Sequence, residues 1–175
     1  FERDAAAGGR GRAGAAPLTL QTVGRLRATP GLFGAGYLEM LARQMTADLQ
    51  RIRDAIQPGQ SRPLSTTGVT FGVLARLPDG RWDTKRVQGL STVSTAVPAG
   101  GAPSLVVRPW RQSGESASLR QFTIDSLNRS HGMQATERVG IGTDPDRDGV
   151  VNEVTRADVT ALVLFQATLP VPGQV

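Results

Sequence analysis

The chain has 175 residues, enough for one domain with a real core or two small ones, and it carries a formal net charge of +5. It contains no cysteine, which excludes disulfides, thiolate metal sites, cysteine nucleophiles and covalent c-type haem attachment within these residues. Lys85 is the single lysine and the arginines are scattered, with no basic stripe interleaved with aromatics, so no nucleic-acid partner is expected.

Apolar residues make up 39% of the chain, and no apolar run reaches the ~18 residues of a membrane span. Phe1 stands first and no signal peptide is visible, so the chain reads as a processed or partial piece of something longer. Residues 1–28 are rich in Ala, Gly and Arg and read as a flexible arm, with Leu18, Leu20, Val23 and Leu26 beginning to dock on a core. Residues 29–175 form the expected folded body.

Within that body Thr29-Pro30-Gly31 is a breaker, and residues 29–57 carry the clearest helix. Phe33, Tyr37, Met40, Leu41, Met45, Leu49, Ile52 and Ile56 recur at three- and four-residue steps and predict one buried stripe. Residues 59–67 read as a polar loop. Residues 68–87 read as a β-hairpin turning at Pro78-Asp79-Gly80. Residues 88–103 are a second loop, and residues 105–109 a short strand closed by Pro109. Residues 104–170 then read as helix, acidic loop and helix. Ser118 with Gln121, and Thr155 with Asp158, form capping boxes at the two helix starts. Val159, Leu162, Val163, Phe165 and Leu169 form the expected inner face of the last helix.

The acidic loop carries the sharpest chemical signal. Asp144, Asp146 and Asp148 alternate and then meet Gly149, as a calcium loop needs for oxygen ligands at positions 1, 3 and 5 and a sharp turn after them. Val150 would add a backbone carbonyl and Asn152 a ligand, direct or through water. Val151 would pack the loop down. Thr155 stands where an EF-hand has its bidentate acid, so Glu153 or Asp158 would have to substitute and affinity would be weak to moderate. The alternative is a solvated acidic turn at the positive end of the following helix.

Other residues leave two readings each. His131, the single histidine, either caps a helix C-terminus or serves as an axial or distal haem residue, with Met133 as a second candidate. Arg108, Trp110 and Arg111 either grip an anion such as a haem propionate or form a surface ion-pair cluster over a buried indole. Gly34 and Gly36 permit close approach of a cofactor or another helix.

Six segments in order resemble one family: residues 30–39, Arg108-Pro109-Trp110, residues 118–122, residues 131–134, residues 144–153 and residues 162–173. They are similar to the di-haem oxidoreductases related to bacterial cytochrome c peroxidases, in the part between the haem-attachment motifs. The resemblance implies a mainly α fold of the α+β kind, a peroxidase-like helical segment with a small β-hairpin insertion. It implies a periplasmic or secreted location, calcium, and haem c attached outside this chain. It implies that His131 or Met133 approaches iron and that Arg108 and Trp110 line a haem edge. Haem-bearing segments or subunits and an electron-transfer protein would be the partners. The C-x-x-C-H motif of that family is absent, so the chain would not turn over peroxide alone.

Overall fold

The computed structural model describes residues 31–111, 114–171 and 173. The expected arm at residues 1–28 therefore lies outside the described residues. Among those described, the order is α1 (Ala35–Asp54), β1 (Ser61–Thr66), β2 (Val69–Arg76), β3 (Trp82–Asp83), α2 (Thr92–Thr95), α3 (Leu119–His131), α4 (Thr136–Val139) and α5 (Arg156–Thr168). The mainly helical expectation is corrected. Five helices stand beside a three-stranded antiparallel sheet of order β1-β2-β3, an α+β mixture.

The extra strand comes from the segment read as a polar loop. β1 pairs with β2 from Ser61↔Ala75 to Thr66↔Val69, with a bulge between Pro63 and Ser65. Two residues turn the hairpin, Thr67 at φ 48° and Gly68 at φ 78°, both in the left-handed region that a tight primed turn requires. Pro63 is tolerated because β1 is an edge strand. The expected turn at Pro78-Asp79-Gly80 joins β2 to β3, and the Asp79 carboxylate accepts the Arg81 N–H at 3.0 Å. Gly72 of β2 sits at φ 81°, where an added Cβ would lie 2.0 Å from the Arg86 carbonyl, so the returning chain can approach only a glycine.

The sheet packs on the C-terminal half of α1. Met45, Leu49, Ile56, Leu64, Phe71, Leu74 and Leu105 form that core. Residues 105–109 do not form the expected strand; the Leu105 N–H donates to the Ser94 carbonyl at 2.9 Å, and neighbouring polar groups of residues 104–107 go to side chains. Thr46 Oγ1 accepts the Val107 N–H at 2.9 Å, Ser94 Oγ donates to the Val106 carbonyl at 2.7 Å, and Gln50 donates to the Ser104 carbonyl at 2.9 Å. Such bonds replace ladder bonds that no neighbouring strand supplies.

Met45, Leu49 and Ile56 of the predicted stripe are buried as expected, but the N-terminal half of α1 packs on α3 and α5 and overturns the stripe there. Tyr37 and Met40 are each 67% exposed, and Phe33 and Leu41 also face outward. The buried face is Ala35, Ala42, Met45 and Leu49. The reason is close approach: a Cβ on Gly36 would lie 2.3 Å from the Ala167 carbonyl of α5. Small residues let the two backbones touch, and this turns the larger side chains of α1 outward.

Both C-terminal helices start where the caps predict. The Ser118 hydroxyl accepts the Gln121 N–H at 3.2 Å, without the reciprocal half of the box. Thr155 and Asp158 make both halves. Ile124, Ala135, Val154 and Val159 form a second core, with Leu127 and Val163 against it. On α5, Val159 is buried, but Leu162, Leu164 and Phe165 face solvent, contrary to the inner face expected for Leu162 and Phe165. No helix among the described residues is long and apolar enough to cross a membrane.

Candidate metal centre

The acidic loop leaves α4 at Gly140 and reaches α5 at Thr155. Its neck is closed by backbone and side chain together. The Asn152 side-chain oxygen accepts the Gly142 N–H at 2.8 Å, and Ala135 bridges Val154 in parallel pairing. The Thr136 N–H donates to the Val154 carbonyl at 2.9 Å, which ties the loop exit to the start of α4.

Inside that neck the chain coils tightly. Arg147 at φ 61°, Gly149 at φ 91° and Asn152 at φ 56° all lie in the left-handed region. Asp144 accepts the Gly149 N–H at 3.0 Å, and Asp148 accepts the Val150 N–H at 2.8 Å. These turns bring one carboxylate oxygen from each of Asp144, Asp146 and Asp148 to within 4.8 Å of one another. Asp146 and Asp148 are exposed, whereas Asp144 is half-buried. The Asp144 Oδ1 atom is shielded from solvent and has no hydrogen-bond partner among the described residues.

Burial pushes the Asp144 carboxyl up, but bonds from Gly149, from the Asp146 carboxyl and from the Arg147 and Asp148 N–H groups outweigh it. The net effect holds Asp144 below its usual value, so it is ionised at neutral pH. The shielded Oδ1 nevertheless keeps an acceptor position with no donor. A hard cation among the three carboxylates would fill it, and an oxygen-only donor set suits calcium or magnesium rather than softer metals.

The remaining expected ligands sit differently. Glu153 accepts the Gln134 N–H at 2.7 Å and so anchors the loop exit. Asp158 accepts from both the N–H and the hydroxyl of Thr155 as the reciprocal member of the cap. Neither supplies the missing bidentate acid in this arrangement. Val150 and Val151 are both exposed, so Val151 does not pack the loop down. The loop is held by its neck instead.

The four residues assigned to haem by resemblance do not come together. Trp110 is 2% exposed and lies in a core with Ala35 and Leu119; its ring centroid is 5.6 Å from that of Phe122. Trp110 thus packs the N-terminal end of α3. Arg108 donates to Ser94 Oγ at 3.3 Å and to the Glu115 carbonyl at 3.0 Å. His131 is the exposed last residue of α3, ahead of the left-handed cap Gly132. Met133 follows, 40% exposed. Twelve residue steps of α3 separate the Trp110 end from His131, about 18 Å at the helical rise. The described residues build no haem pocket from these four.

Met133 instead lines a cleft of about 420 Å³ between α3 and α5, with Leu127, Val154, Leu162 and Phe165. Sequence reading missed this cleft because it placed Leu162 and Phe165 inward. It also missed the clamp that holds the loop's base. Arg120 of α3 donates to Glu137 of α4 at 3.0 Å and to Thr160 of α5 at 3.1 Å. No residue spacing announces those partners, which are 17 and 40 positions away.

No family model, curated protein or solved structure matches the chain. The di-haem resemblance therefore rests on the quoted segments alone.

Proposed function

We propose that this chain is a calcium-stabilised interaction module of a larger assembly, working in the periplasm or outside the cell, where calcium is plentiful. The observation that carries the reading is the shielded, partnerless Oδ1 of Asp144 beside two further carboxylates. Calcium would supply charge neutralisation and fix the loop. The loop exit, Glu153 and Val154, lines the α3–α5 cleft, so a fixed loop presents a fixed apolar surface to a partner. With few protein ligands, water completes the shell and affinity is modest.

Isothermal titration with calcium chloride tests the reading. One calcium per chain is expected, and the heat should vanish in the double variant Asp144→Asn/Asp146→Asn. A parent chain that takes up no calcium at millimolar concentration sinks it.

A second reading identifies the partner as the haem-bearing segments of a di-haem peroxidase-like protein, with this chain shaping the haem surroundings for electron transfer. What favours it is the order of the resembling segments and the half-exposed Met133 thioether in the α3–α5 cleft. A Soret band in native material, at a mass well above 18.5 kDa, is the expected result. A haem-free chain near that mass ends this second reading and leaves the calcium module standing.

A further inference from the structure

The α3–α5 cleft has two chemically different ends. Asp158, Leu162 and Phe165 follow one another on α5 at steps of four and three, so they form one stripe along the cleft. The stripe covers two helical turns, about 10 Å. At its start stand two carboxylates, Asp158 and Glu153, the second just ahead of the helix. Toward its end stand Leu162 and Phe165, the latter 64% exposed, with Leu127 and Met133 across from them. Leu164 is also exposed while Val159 is buried, so α5 is apolar on more than its inner face, the pattern of a helix that is covered.

Each carboxylate spends one oxygen on the fold. Glu153 Oε2 accepts the Gln134 N–H at 2.7 Å. Asp158 Oδ2 accepts the Thr155 N–H at 2.9 Å and its hydroxyl at 2.6 Å, and these bonds hold Asp158 below its usual value. Among the described residues, the other oxygen of each carboxylate takes no bond and no basic side chain lines the cleft. Glu39, Glu115 and Glu137 each face an arginine, whereas Glu153 faces none among the described residues. The chain carries 20 arginines and lysines and a net charge of +5, so two carboxylates left without a cation at one end of an apolar cleft stand out. Any segment that covers them without bringing a cation desolvates both at a cost. An anionic lipid surface is repelled by them.

We infer that the α3–α5 cleft is the docking site for a basic amphipathic helix of a partner protein. Two turns of that helix lay apolar side chains over Met133, Leu162 and Phe165 and set a lysine or arginine against Glu153 and Asp158. Helix-in-groove recognition works this way, and a flexible methionine in the wall accommodates the apolar anchors. The inference rests on the reading of the chain as an interaction module; it does not require calcium in the loop.

Fluorescence anisotropy with a labelled amphipathic peptide of leucine and lysine provides the test, beside a leucine and glutamate peptide of the same pattern. The lysine peptide should bind one per chain, and the glutamate peptide about tenfold or more weakly. Glu153→Gln/Asp158→Asn keeps an accepting oxygen for Gln134 and for Thr155, and should weaken the lysine peptide by about tenfold or more. Leu162→Ser/Phe165→Ser should weaken it as much, while its circular dichroism stays that of the parent, since both positions are exposed. Equal affinity for the two peptides overturns the inference, as does binding that is unchanged in either variant. A chain that sediments as a dimer, and as a monomer after Leu162→Ser/Phe165→Ser, gives the cleft to a second copy and also overturns it. Each titration is run in calcium and in chelator. Binding of the lysine peptide in either condition supports the inference and its absence in both overturns it, while calcium uptake, measured separately, decides the metal site.

Discussion

Replacing Asp144 and Asp146 together by Asn keeps the shape of both side chains and removes two of three clustered charges. The Asn at position 144 still offers an oxygen to the Gly149 N–H, so the loop's own bonds persist. In calcium-free buffer the variant should melt at or slightly above the parent, because like charges no longer face one another. With calcium at 100 times its dissociation constant, linkage adds about 2.7 kcal/mol to the parent. At roughly 2–4 °C per kcal/mol for a chain of this size, the parent's melting temperature rises by about 5–11 °C. The variant should not rise. Differential scanning calorimetry in chelator and in calcium reads both chains in both conditions. Magnesium should raise the parent less, since it demands a stricter octahedral shell. A parent melting temperature that is the same in chelator and in calcium refutes the reasoning from the orphaned oxygen. A variant that gains as much as the parent refutes the assignment to these two residues.

Gly36→Ala is ordinarily stabilising in a helix, by about 1 kcal/mol, but here the new methyl would sit 2.3 Å from the Ala167 carbonyl. A loss of about 1–3 kcal/mol is expected in urea denaturation; Gly31→Ala, which meets nothing within 4 Å, should be neutral. Thr155→Ala removes both hydroxyl bonds of the α5 cap and should cost about 1 kcal/mol, with Thr155→Ser restoring most of it. Acid should destabilise the fold. The hydrogen bond from Arg120 holds the Glu137 carboxyl below its usual value, and bonds from Thr155 and Thr66 do the same for Asp158 and Asp48. Carboxyls depressed in the folded state bind fewer protons there than when unfolded. Their stabilisation is therefore complete above the unfolded values and is lost as pH falls through the folded ones, below about pH 4. A melting temperature that holds steady from pH 5 to pH 3 contradicts this.

Local signals carried most of what the sequence determined. The start of α5 at Arg156 follows from Thr155 and Asp158, whose bonds close within four residues. The end of α3 follows from Gly132, and the turn after β2 from Pro78-Asp79-Gly80. The three loop aspartates were legible for the same reason, since alternation along a turning chain already brings carboxylates together. Tertiary contact decided the rest. β1 was invisible because it has no alternating apolar pattern: only Leu64 and Thr66 are buried, and pairing with β2 makes the strand. The face of α1 was read correctly from Met45 onward but misread before it, because the periodicity weighs large side chains, whereas the contact with α5 was set by Gly36, which has no side chain to count. The loss of Glu153 to Gln134 and the separation of Trp110 from Met133 depend on where α3 and α5 lie. Such partners lie far apart along the chain, and only the packed backbone fixes the distances between them.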